Sequence, residues 1–127
     1  MLLDYYYSVK SQLTTESVTL FDVILLPACS VYEGHFPGMP VTPGVCNIQM
    51  IKECVERIIG RQLLLEYIVQ CKFTALISPL QHQKLQVRIE IKKPSPAPPK
   101  GERMEAIATI GQGEKEFMVF KGEFVML

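Results

Sequence analysis

The chain has 127 residues, 48% of them apolar and 20% charged, a globular composition that suits one domain spanning 1–127 and excludes a disordered or fibrous chain. Thirteen Lys and Arg balance thirteen Asp and Glu, so a general nucleic-acid binder, which carries a basic excess, is not expected. No apolar run approaches a membrane span, and the opening MLLDYYYSVK places Asp4, not a basic region, before any apolar stretch; neither membrane insertion nor a signal peptide is expected, and the expected location is the cytoplasm.

In chain order, residues 6–13 form a weak candidate strand. Residues 18–26, rich in β-branched and aromatic side chains, form a stronger one. Residues 45–59 change period: Ile48, Ile51, Val55 and Ile58 recur at helical spacing with Met50 and Cys54 beside them. Thr42 can cap this helix, Pro43 suits its first turn and Gly60 suits its stop. On its other side, Lys52 with Glu56 and Glu53 with Arg57 read as i,i+4 ion pairs at the surface.

Residues 66–77 read as a strand ended by Pro79. Residues 85–92 alternate strictly, with Leu85, Val87, Ile89 and Ile91 on one face, as a half-buried antiparallel strand does. The proline-rich stretch KPSPAPPKG, residues 93–101, reads as an exposed extended connection. Residues 104–110 alternate again, a turn follows at 111–114, and 117–125 return as a strand. Strands, one apolar helix and four more strands predict an α+β fold in which a curved antiparallel sheet largely encloses the helix.

Cys29, Cys46, Cys54 and Cys71 form no C-x-x-C pair and sit among apolar residues. They read as packed free thiols, and no metal site is expected. His82, flanked by Gln81 and Gln83, reads as a solvent-exposed loop residue.

The most distinctive stretch is YEGHFPGMPVTPGV, residues 32–45, with three prolines and three glycines. Such a loop is rigid and closely turned. It leads into a helix N-terminus, where unpaired N–H groups and the helix dipole favour a developing negative charge. His35 stands just before it, which suits proton transfer beside a polarised carbonyl. Spacing alone leaves open a plain structural loop whose imidazole bonds a backbone carbonyl.

The run G-H-F-P-G-x-P-x-x-P-G-V, from Gly34 to Val45, resembles the active-site loop of the 3-hydroxyacyl-acyl-carrier-protein dehydratases, the FabZ/FabA family. The element order and length fit too. The resemblance implies a hot-dog fold and a homodimer or a higher assembly of dimers. In that family the histidine of one subunit works with a helical carboxylate of the other, and no cofactor is called for. It implies that His35 takes the proton α to the thioester carbonyl, that the amides of Gly44 and Val45 hold the carbonyl oxygen, and that Phe36 lines the site. The substrate implied is a 3-hydroxyacyl chain on the phosphopantetheine arm of acyl carrier protein.

The chain departs from the pattern at the carboxylate. The corresponding position, fourteen residues after His35, holds Gln49, whose amide can orient a hydroxyl or a water but cannot give up a proton. Glu53 lies one helical turn further on. The Pro-Gly-Asp turn of many relatives is replaced by Pro79, Leu80 and Gln81. Lys52, Arg57, Arg61, Lys72 and Lys84 are candidates for docking an acidic carrier protein. Three readings follow. One is a dehydratase with His35 as base and Gln49 as polar orienter. The second is a non-catalytic subunit that binds acyl carrier protein or pairs with a hot-dog paralogue that supplies the carboxylate. The third is a thioesterase that uses Glu53.

Overall fold

The computed structural model describes residues 1–33, 38–92 and 103–127. Its elements are β1 (Tyr7–Thr15), β2 (Val18–Leu25), a short 3-10 turn (Ser30–Tyr32), α1 (Gly44–Ile59), β3 (Leu63–Phe73), β4 (Lys84–Lys92), β5 (Arg103–Gln112) and β6 (Lys115–Met126). The six strands form one sheet in the order β1-β2-β4-β5-β6-β3, and every neighbouring pair is antiparallel. This is the α+β arrangement expected from the sequence. The proline-rich stretch 93–101 lies outside the described residues.

The alternating strands behave as their patterns require. Leu85, Val87 and Ile89 of β4 are buried, as are Met104, Ala106, Ala108 and Ile110 of β5 and Phe117, Met118, Phe120 and Phe124 of β6. These side chains form the sheet's share of a core into which α1 sets Met50, Ile51, Cys54 and Val55. All four cysteines are free thiols, Cys29 and Cys54 buried and the other two half-buried.

The helix runs one residue earlier than its pattern suggests. Pro43 takes the cap position without a side-chain cap bond, and Gly60 closes the helix in the left-handed region at φ 79° with its N–H on Glu56 O. Thr42 is therefore not the cap. The buried face is also rotated from the expected one: Asn47 and Glu53 are buried on it, while Ile48 and Ile58 are half-buried. Two polar side chains pull the helix round because partners elsewhere satisfy them.

β3 starts three residues before its expected start and stops four before its expected end. Its length follows its pairing with β6, from Leu63 opposite Met126 to Phe73 opposite Met118, interrupted by two bulges. It is an edge strand, and Leu64, Tyr67, Ile68, Val69 and Phe73 are exposed along it.

Candidate active site

His35 and Phe36 lie outside the described residues; α1 and the residues around it frame the rest of the candidate site. Gly44 opens the helix. A Cβ at this position would come within 2.8 Å of the Phe73 ring, so glycine allows β3 to close over the helix start. The N–H groups of Cys46 and Asn47 turn back on Pro43 O. Those of Gly44 and Val45 have no acceptor among the described residues, which leaves two donors at the positive end of the helix. Beside them is a cavity of about 300 Å³ lined by Val41, Thr42, Gly44, Asn47, Phe73 and Ile77, among others. Val45 itself is 75% exposed.

The buried polar side chains of α1 form two clusters. In the first, Tyr6 Oη donates to Asn47 Oδ1 at 2.6 Å, and Asn47 Nδ2 donates to Thr42 Oγ1 at 2.8 Å. In the second, Glu53 is 5% exposed and its carboxylate accepts four hydrogen bonds. Oε1 accepts from Leu3 N and from Tyr7 Oη, both at 3.0 Å. Oε2 accepts from Leu2 N at 2.8 Å and from Gln49 Nε2 at 2.9 Å. Four donors match the acceptor capacity of a carboxylate. Burial, more than the neighbouring Cys54 and Glu53, pushes the Tyr7 hydroxyl's pKa well up from the usual phenol value, and burial does the same to Tyr6. Both stay protonated as donors. The Cys54 thiol is pushed up to about 12, first by burial and then by Glu53, so it is an inert packing group.

The surface pairs expected on the helix do not form. Glu53 turns inward, Arg57 Nε donates to Gln12 Oε1 at 3.1 Å, and Glu56 Oε2 accepts from Leu63 N at 2.9 Å. A buried carboxylate gains more from several fixed N–H and O–H donors than from a solvated ion pair. With four donors on it, Glu53 is poorly placed to take a proton from a water. His82 also differs from its expectation. It is half-buried, its Nδ1 accepts from Ser78 N at 3.0 Å, and its ring lies 4.7 Å from that of Phe117. It staples the loop at Pro79 instead of facing solvent.

Gln49 opens on a second cleft, of about 680 Å³, with Tyr7, Lys52, Glu53, Arg57 and Arg61 among its lining residues. Three of the candidate docking cations thus share one cleft. Lys72 lies on β3 and Lys84 at the start of β4. Within one chain, Gly44 and Gln49 line different cavities. Tyr7 and Asn47 were not expected in the site. Asn47 carried a signal, a polar residue inside an apolar helical run, and Tyr7 carried none.

A helix packed on a six-stranded antiparallel sheet, preceded in sequence by the Gly34–Val45 motif, defines a hot-dog domain of the dehydratase type. The chain belongs to the ApeI-like dehydratase family, whose model, described as ApeI dehydratase, matches residues 11–97. It is 30% identical over 87 residues to a 3-hydroxyacyl-[acyl-carrier-protein] dehydratase FabZ from Lactiplantibacillus plantarum; the match takes in 63% of the chain and 54% of that relative, so the chain spans about half the length of the curated relative it matches. Among solved structures it is similar to the dehydratase heterocomplex ApeI:P from Xenorhabdus doucetiae, with a TM-score of 0.67 and 17% identity over 92% of this chain and 96% of that one. It is also similar to an uncharacterized protein from Erwinia carotovora subsp. atroseptica, with a TM-score of 0.56 and 17% identity over 94% and 91%. Both structural likenesses concern the fold. Among the described residues no helix is long and apolar enough to cross a membrane.

Proposed function

We propose that the chain, acting as one hot-dog domain in the cytoplasm, removes water from 3-hydroxyacyl chains carried on acyl carrier protein and yields trans-2-enoyl thioesters. His35 takes the proton α to the thioester carbonyl while the amides of Gly44 and Val45 hold the carbonyl oxygen and Phe36 lines the site. Gln49 orients the 3-hydroxyl. The imidazolium then returns its proton to the departing hydroxyl. One C–H and one C–O bond break, the C=C bond forms, and water leaves; the elimination is redox-neutral. Lys52, Arg57 and Arg61, gathered on one cleft, offer an acidic carrier a basic landing.

The observation that carries this reading is the family match over residues 11–97, which takes in both the His35 motif and the whole of α1. A dimer completes the picture: β3 is an edge strand whose exposed apolar side chains call for a cover, and Gly44 and Gln49 face different cavities of one chain. The test is to incubate the protein with 3-hydroxyacyl and crotonyl carrier proteins and to read the products by mass spectrometry. Loss or gain of one water supports the lyase. Free acid supports a thioesterase.

A second reading is favoured by Gln49 itself, which has no proton to give. In it the chain binds acyl carrier protein without turnover, or pairs with a hot-dog paralogue that supplies the carboxylate. The structural neighbour from Xenorhabdus doucetiae is named as a dehydratase heterocomplex, which lends this reading support. Retained binding with no turnover, relieved by adding such a paralogue, favours it over the first.

A further inference from the structure

We infer that Glu53 is a positioning residue of this site: it turns the Gln49 amide so that Oε1 is the atom left to accept a hydrogen bond from the substrate's 3-hydroxyl. The inference rests on the dehydratase reading above. Its warrant is an asymmetry in the two partners. A glutamine amide has one donor end and one acceptor end, and an ionised carboxylate only accepts. With Glu53 Oε2 2.9 Å from Gln49 Nε2, one N–H of the amide is held by the carboxylate. The oxygen, which has no partner among the described residues, is the acceptor left for a hydroxyl in the cleft that Gln49 lines.

Anchoring of the chain start does not account for this contact. Leu2 N, Leu3 N and Tyr7 Oη satisfy that role with three bonds. The fourth bond, from Gln49, joins two residues of the same helix, one turn apart, and ties down no other segment. It fixes a side chain that would otherwise sample several rotamers, and a fixed dipole at the place where the hydroxyl departs needs no reorganisation during reaction. Glu53 itself, buried at 5% exposure, acts through Gln49 and need not touch the substrate.

The test uses Glu53→Gln. The new NH₂ group removes the acceptor that holds the Gln49 nitrogen, so the Gln49 amide can turn its own NH₂ towards the hydroxyl. The expected result is a kcat lower by about tenfold, the effect of one misdirected hydrogen bond, with KM changed by less than about threefold. The double variant Gln49→Glu with Glu53→Gln reverses the polarity of the pair, again presents an oxygen, and recovers most of the lost kcat. Should Glu53→Gln fold poorly, Gln49→Met leaves the three anchoring donors in place and is expected to lose kcat to the same extent. The side-chain amide protons of Gln49 give a readout independent of turnover: slow exchange with water in the parent protein, fast exchange in Glu53→Gln. Wild-type kcat in both Glu53→Gln and Gln49→Met overturns the inference, as do Gln49 amide protons that exchange identically with and without the Glu53 carboxylate. If the parent protein turns nothing over, the dehydratase reading fails, and the exchange measurement still decides whether Glu53 sets the amide.

Discussion

Tyr6 and Tyr7 are neighbours in sequence, yet their hydroxyls serve two different polar clusters on one helix. Tyr6 donates to Asn47 in a neutral cluster that closes on Thr42, and Tyr7 donates to the charged Glu53. Both clusters tie the start of the chain to α1. They differ in what lies beyond them. The Asn47 side chain, 2% exposed, has its amide used at both ends and braces the start of the helix from within. The Glu53 cluster holds one member, Gln49, whose oxygen is uncommitted among the described residues and which lines the larger cleft. The Asn47 amide is bonded at both ends beside the cavity at the helix start, whereas the Glu53 carboxylate gathers phenol and amide donors and leaves Gln49 with an unused acceptor on the other cleft. The distinction lies in the partner left with spare capacity.

High pH removes both clusters together and is the largest effect expected. Tyr32 is pushed up to about 12 from 10.0, chiefly by burial, and Cys54 up to about 12 from 9.0, again chiefly by burial; Tyr6 and Tyr7 are raised further. The folded state therefore holds protons that the unfolded chain releases. By linkage, the stability these groups contribute is whole below about pH 9 and is lost as pH rises from there through 12. The expected outcome is cooperative alkaline unfolding in that window, with the phenolate absorbance of the buried tyrosines appearing in step with the loss of far-ultraviolet circular dichroism. Phenolate absorbance from these tyrosines in a folded protein would break the picture of both clusters at once.

Substitution separates the clusters. Glu53→Ala leaves Leu2 N, Leu3 N and Tyr7 Oη without an acceptor and is expected to cost about 3 kcal/mol, since bonds to a charged acceptor are the stronger kind. Asn47→Ala strands one phenol and one hydroxyl and is expected to cost about 2 kcal/mol. Urea titrations of both variants check the order. A reversed order would mean that the chain start is weakly docked and that the neutral cluster carries the join between strand and helix.

How much of this was legible in the sequence depends on the range of the forces involved. β4 and β5 could be read residue by residue because each has one buried face, and alternation records that directly. The helix could be read from its period and from Gly60, whose left-handed stop needs no distant partner. β3 was misplaced at both ends because an edge strand takes its length from β6, not from its own pattern. Glu53 was misread for a similar reason. Its local pattern, an acid four residues before Arg57, describes a surface pair, but three of its four partners lie about fifty residues earlier in the chain, and no local spacing encodes them. Gln49 was singled out as departing from the dehydratase pattern, and the bond to Glu53 now gives its side chain a direction. His82 was misjudged from its polar flanks, because its Nδ1 serves a backbone N–H within its own turn.

The smallest change probes the open cluster alone. Gln49→Glu is nearly isosteric, so the packing around the helix is expected to change little. Its chemistry changes more. The new carboxyl would stand where the Gln49 amide now contacts Glu53 Oε2 at 2.9 Å. Two carboxyl groups at that distance do not both ionise readily, so one proton is shared between them. That proton takes the place of the amide N–H in the pair and, unlike it, is transferable. Under the dehydratase reading the variant therefore regains a general acid at the position where the FabZ/FabA pattern has one. The expected outcome is a rise in kcat for 3-hydroxyacyl carrier protein of up to about 10²-fold, the lower end of what general acid help supplies. Steady-state kinetics of the variant beside the parent protein check it. A fall in kcat would show that the site depends on the fixed amide dipole and that a mobile proton in its place misdirects the substrate hydroxyl.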